Sequence, residues 1–251
     1  MNRLRSIALA LALALAAPLA LAACGDDDSG NGDAAAETAG ELPRGGNPVQ
    51  LDPAEFTTEI DNPYWPMAPG SRWVYREGEA RVVVTVTDRS KEVANGVTAR
   101  VVHDVVSESG EPIEVTDDWY AQDSDGHVWY LGEDTAEYEH GKVVSREGSF
   151  EAGVDGAQPG VIMPADPQVG QSYRQEYYEG QAEDFAKVLA LDAHAKVPFG
   201  SFANVLETED VNPLSDPKQV EHKFYAEGIG PVFTVDTASG DREELLSYVE
   251  G

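Results

Sequence analysis

Carboxylates are the most abundant reactive groups in this sequence: 46 Asp and Glu stand against 17 Lys and Arg, 5 His and a single cysteine. Asp117, Asp118, Asp123, Asp125, Glu133 and Asp134 fall within 18 residues of one another. The turn Asp123-Ser124-Asp125-Gly126 sets acids two residues apart, a spacing at which hard cations such as calcium find oxygen ligands. Asp123, Asp125 and Glu133 are the ligands such a site would use. The pattern departs from an EF-hand, because Gly126 comes too early and a strand follows. Asp and Gly at this place also make an ordinary hairpin turn through side-chain to backbone hydrogen bonds. Calcium is the one cofactor for which the sequence gives a reason; otherwise none is implied.

Nucleophilic catalysis has little to work with. No Gly-x-Ser-x-Gly elbow occurs, and His103, His127, His140, His194 and His222 sit in neither triad nor zinc spacing. Paired carboxylates serve glycoside hydrolysis, but with so many acids pairs arise by chance, so no catalytic residue is assigned. The aromatics are more suggestive. Tyr64, Trp65, Trp73, Trp119, Trp129, Phe185, Phe224 and Phe233 are enough to line a cavity for an apolar ligand such as a lipid. Tyr64, Trp65, Trp119, Trp129, Phe224, Ile162 and Met163 form the expected binding set, and the same residues would equally make a plain core.

The elements that position these groups read as strands. Residues 72–75, 81–87, 98–106, 113–121, 127–131, 171–178, 202–208, 220–225, 232–236 and 245–249 are β-branched or aromatic runs, many alternating. Turn pairs such as Asn95-Gly96, Ser109-Gly110, Asp125-Gly126 and Ser239-Gly240 separate them. Residues 183–193 read equally as helix or buried strand. An all-β, antiparallel domain over residues 48–251 is expected.

Within it the chain repeats. Pro69-Gly70-Ser71-Arg72-Trp73 aligns with Val169-Gly170-Gln171-Ser172-Tyr173, and Asp118-Trp119-Tyr120-Ala121 with Lys223-Phe224-Tyr225-Ala226. Gly96-Val97-Thr98-Ala99-Arg100-Val101 matches Gly200-Ser201-Phe202-Ala203-Asn204-Val205 between them. Two meanders, about 66–134 and 164–236, follow, each with an apolar face to bury. They would pack as a sandwich or as a partly closed barrel. Residues 148–170 read as a long connection, serving either as a lid or as a crossover that tucks Ile162 and Met163 into the core.

At the N-terminus Arg3 and Arg5 precede an Ala and Leu run over residues 7–21 that is too short to span a bilayer, which takes roughly 20 apolar residues. Leu21-Ala22-Ala23-Cys24 resembles the bacterial lipobox, which implies cleavage after residue 23, lipidation of Cys24 and anchorage on the extracytoplasmic face of the cell membrane. Two acyl chains hold a protein firmly where one does not. Loss of residues 1–23 removes two arginines and no acid, leaving 15 basic and 46 acidic side chains and a formal charge of −31. Nucleic acid is thereby a poor partner. Residues 24–47, rich in Gly, Ala, Asp and Glu, read as a disordered tether with a reach of roughly 25 Å.

A wider resemblance rests on Asn62-Pro63-Tyr64-Trp65-Pro66, Pro69-Gly70, Trp73, Tyr75, Asp118-Trp119-Tyr120-Ala121-Gln122-Asp123, Gly126, Val128-Trp129-Tyr130, Gly132-Glu133 and Tyr225-Ala226-Glu227-Gly228-Ile229-Gly230. Together these look like a group of exported bacterial proteins and lipoproteins, of the kind found in high-GC Gram-positive bacteria. The resemblance spans nearly the whole domain and implies no activity. The expected function is a membrane-anchored binding protein for a small apolar ligand, or an interaction lipoprotein of the cell envelope without one.

Overall fold

The computed structural model describes residues 42–251; Cys24, the leader and the tether through residue 41 lie outside the described residues. Leu42 and Pro43 are already buried, so the domain is entered ahead of residue 48, and the last stretch of the expected tether is part of its wall.

One turn of 3-10 helix at Pro53–Glu55 precedes β1 (Phe56–Thr57), β2 (Arg72–Glu77), β3 (Ala80–Glu92), β4 (Thr98–Glu108), β5 (Glu111–Asp123) and β6 (Val128–Glu139). Then come β7 (Lys142–Ser145), β8 (Phe150–Glu151) and β9 (Gln158–Met163). The second half adds β10 (Ser172–Arg174), β11 (Glu176–Tyr177), β12 (Phe185–Val197), β13 (Gly200–Asn212), β14 (Gln219–Ala226), β15 (Gly230–Asp236) and β16 (Arg242–Val249). The periodicity behind them is plain in β3, where Val82, Val84 and Val86 are buried and alternate with more exposed residues.

All pairing is antiparallel, in the order β10-β12-β13-β14-β15-β16-β2-β3-β4-β5-β6-β9-β11. The two halves join edge to edge where β16 pairs with β2, Leu245 opposite Tyr75. Of the two packings the sequence allows, the barrel is the one adopted. Its ends meet in residues 172–177. Ser172–Arg174 pair with β12, Tyr173 opposite Ala186, and two residues later Glu176 and Tyr177 pair with β9 opposite Pro159 and Gln158. One short strand thus spans both edges of the sheet and forms a seam.

In two residue ranges the structure selects between readings that the sequence left open. The stretch 183–193 is not helical, and residues 185–193 belong to β12. The stretch 148–170 is no lid, since β9 lies inside it and pairs with β6 through Val128–Met163 and Trp129–Val161. Pro159 and Gly160 disguise β9 in the sequence, being residues that normally interrupt strands. Gly160 is required there, because a Cβ would lie 2.1 Å from the carbonyl oxygen of Gln175 across the seam.

Turns one hundred residues apart make matching backbone bonds. Gly70 N donates to Val86 O, Val86 N to Ser71 O and Ser71 N to Ala68 O, at 2.9, 3.0 and 3.0 Å. Gly170 N donates to Val188 O, Val188 N to Gln171 O and Gln171 N to Gln168 O, each at 2.9 Å. Gly70 and Gly170 both have positive φ, +94° and +88°, a conformation that glycine adopts without steric penalty.

Candidate functional site

The inner wall of the barrel sets polar groups among apolar ones. Along β5 the buried alternate positions are Glu114, Thr116, Asp118 and Tyr120, while Ile113, Val115 and Asp117 stay partly exposed on the other face. The matching strand β14 buries Glu221, Lys223 and Tyr225 in the same rhythm. Asp118 and Lys223, Tyr120 and Tyr225 are therefore equivalent positions in the two halves. Between the tyrosines lies the indole of Trp65, with ring centroids 5.7 Å from Tyr120 and 6.0 Å from Tyr225. Asn62 secures this plug: its amide Nδ2 donates to Gly126 O and Pro164 O, and its backbone N to Gln122 Oε1. The Asn-Pro-Tyr-Trp-Pro motif closes one end of the barrel.

Behind Tyr120, the hydroxyl oxygen of Tyr130 lies 2.7 Å from Asp118 Oδ1 and 2.9 Å from Glu133 Oε2. A phenol has one hydrogen to donate, so it satisfies one carboxylate, and a proton held on the other carboxyl satisfies the second contact. Burial raises the Asp118 carboxyl to about 7, opposed by the Tyr130 bond. Burial, then the Asp118 charge, pushes Glu133 well above the ordinary range. Across the interior, Lys223 Nζ is 3.2 Å from Asp210 Oδ2 and 3.6 Å from Glu221 Oε2, and Gln175 Nε2 donates to Asp210 Oδ2 at 3.0 Å.

The seam opens this interior to the surface. A crevice of about 330 Å³ is lined by Tyr173, Glu176, Tyr177, Asp184 and Phe185, with Arg44, Gly45 and Arg174 at its side. Glu176 is completely buried, and neither of its carboxylate oxygens has a hydrogen-bond partner; Asp184 Oδ1 is likewise unpartnered. Burial, followed by Asp184, Glu133 and Asp118, raises Glu176 well above the usual carboxylate range. Arg174 holds the crevice together. Its Nε and Nη2 donate to Pro159 O, its Nη1 to Gly45 O and Asn47 O, and its backbone N to Pro43 O. Residues 42–47 are by this means strapped across the seam, with Gly46 packed onto the Tyr177 ring.

No protein-family model matches the chain, and no curated protein matches it in sequence. Two solved structures share its general outline at low similarity. One, from Bacteroides fragilis, is described as an exported protein with a YmcC-like fold; it is 13% identical, with a TM-score of 0.40 over 74% of this chain and 99% of that one. The other, from Parabacteroides distasonis, is described as a lipoprotein; it is 11% identical, with a TM-score of 0.39 over 74% of this chain and 98% of that one.

The expected binding set does not gather in one place. Trp65 plugs the barrel end, with Tyr64 half-buried beside it. Trp119 points to the outer face beneath Lys91, whose Nζ lies 4.2 Å from its ring centre. Trp129 packs edge-on to Phe56 at 6.1 Å, and Phe224 packs on Phe233 at 5.3 Å. Ile162 and Met163 are buried in β9. Of the aromatics considered for a cavity, Phe185 lines the seam crevice. Nor do Asp123, Asp125 and Glu133 converge: among the described residues no group of three or more His, Cys, Asp or Glu is arranged to hold a metal ion. Asp123 serves its hairpin, its Oδ1 accepting from Asp125 N and His127 N and its Oδ2 from Trp129 Nε1, whereas Glu133 faces the interior. Glu176, Asp184 and Tyr173 were not singled out from sequence. The one signal available is that Glu-Tyr-Tyr and Glu-Asp-Phe flank the turn at Gly180.

Proposed function

We propose that the chain is a membrane-anchored lipoprotein of the extracytoplasmic face whose barrel binds a small ligand at the seam crevice. The anchor rests on Cys24 within its lipobox-like setting. The binding reading rests on one observation: a crevice of about 330 Å³, within the size range of small-molecule sites, ends on a buried glutamate with both oxygens unpartnered. Buried polar groups normally find partners, and a bound molecule is a natural source of one. The buried carboxylates at the crevice end turn the proposal away from an acyl chain sunk in the barrel and toward a ligand with a polar head.

Native mass spectrometry of the full chain, taken from its own membranes, tests the binding reading. A non-covalent adduct released by denaturation supports it. The acylated chain alone, with no stabilisation by any of a panel of amines, carboxylates and alcohols, overturns it. Loss of acyl labelling and of membrane retention in Cys24→Ala tests the anchor separately.

A further inference from the structure

We infer that the seam crevice recognises an amphipathic amine, with the cationic nitrogen set beside Glu176 and Asp184 and the apolar body against Tyr173, Tyr177 and Phe185. The inference rests on the small-ligand reading above and gives it a chemical class. The inner end of the crevice holds unsatisfied polar groups that are mostly acceptors: both oxygens of Glu176 and Oδ1 of Asp184 are unpartnered and buried, alongside the Tyr173 hydroxyl. An ammonium group supplies up to three donors and a positive charge, and so fits what the carboxylates lack. A metal ion fits less well, because these acids do not form a metal-ready group among the described residues.

The outer part of the crevice is aromatic. Phe185 is 38% exposed and already draws a cation, Lys218 Nζ at 5.2 Å from its ring centre. Tyr177 faces the Arg174 guanidinium at 6.0 Å. Aromatic walls beside carboxylates are the pairing that recognises organic ammonium groups. An anionic ligand is not served equally, since the Arg174 donors are engaged by the carbonyl oxygens of Pro159, Gly45 and Asn47. In the other clefts the cations are already engaged. Beside Trp119, Arg89 pairs with Asp117 and Lys91 with Glu151; at the barrel rim, Arg76 pairs with Glu244.

Proton linkage follows from the surroundings of Glu176. Asp184, Glu133 and Asp118 raise its proton affinity and Lys223 lowers it, while Arg44, Arg174 and Glu183 also line the crevice. An ammonium group favours the ionised carboxylate, so binding expels a proton and affinity rises with pH.

The test is calorimetric titration of the full chain in lipid nanodiscs, with empty nanodiscs as control, using hexylamine, hexyltrimethylammonium, hexanoate and hexanol as probes. The expected result is binding of hexylamine, weakened at least tenfold in Glu176→Gln and about threefold in Phe185→Ala, each variant still giving a single cooperative melt. The heat should also differ between phosphate and Tris buffers, through the released proton. If hexanol or hexanoate binds as well as the amine and Glu176→Gln leaves it unchanged, the site stands and its amine class is overturned. Equal amine affinity in wild type and both variants overturns the inference. No binding of any probe overturns the seam as a ligand site altogether.

Discussion

Gly160 lies so close beneath Gln175 that a methyl group on it would sit 2.1 Å from the Gln175 carbonyl oxygen. That contact joins β9 to the strand that closes the barrel, and backbone on both sides leaves no flexible atom to yield. Gly160→Ala is expected to destabilise the domain by about 3 kcal/mol, which corresponds to roughly 6–12 °C in melting temperature. A shift under 2 °C would mean that the seam separates without loss.

Stability should fall as pH rises from 5 to 8. Burial raises Asp118 and Glu114 to about 7 and pushes Asp104, Glu133, Glu176 and Glu243 well above the usual carboxylate range. The folded state therefore binds protons that the unfolded chain has already lost above about pH 4, and stability drains away until each folded pKa is passed. For Asp118 alone the loss across this window is on the order of 3 kcal/mol. Lys223, raised by its carboxylate neighbours, loses its contribution only above the ordinary lysine range and does not alter this window. Asp118→Asn should flatten the curve of melting temperature against pH; an unchanged slope would place the titrating group elsewhere.

Arg174→Lys should free the strap. A lysine ammonium is a point charge and cannot reproduce the planar fork that serves Pro159, Gly45 and Asn47 together. Limited proteolysis within residues 42–47 should accelerate more than tenfold, with a loss of about 2–3 kcal/mol in overall stability. Unchanged protection would show that Leu42 and Pro43 hold the strap by burial alone.

Asp123→Ala should cost about 2 kcal/mol, because three donors of the hairpin lose their acceptor. Asp125→Ala should stay within about 0.5 kcal/mol. Millimolar calcium is expected to leave the melting temperature of both variants, and of the parent, unchanged; a rise in the parent alone would restore a cation to this turn.

What the sequence displayed and what it hid have physical reasons. Runs such as Val82, Val84 and Val86 alternate with exposed residues, and the strand period is legible wherever one face is apolar. On β5 the buried face carries Glu114, Thr116 and Asp118, so an argument that places apolar residues inward assigns the wrong side. Trp119 was expected at a ligand for that reason, and it sits on the outer face. β9 was hidden by Pro159 and Gly160, whose presence answers to the seam contact rather than to strand propensity. Glu176 had no local signal beyond the acid and aromatic runs around Gly180, because its burial comes from two sheet edges that are far apart in the chain.

Asp118 and Lys223 occupy matching sites on opposite halves of the barrel. A wall built from two like halves would present much the same interior to a molecule and to that molecule turned end for end. An acid on one half and a base at the matching position of the other remove this ambiguity: the interior acquires a direction, and a ligand that carries a dipole has a single preferred heading against it.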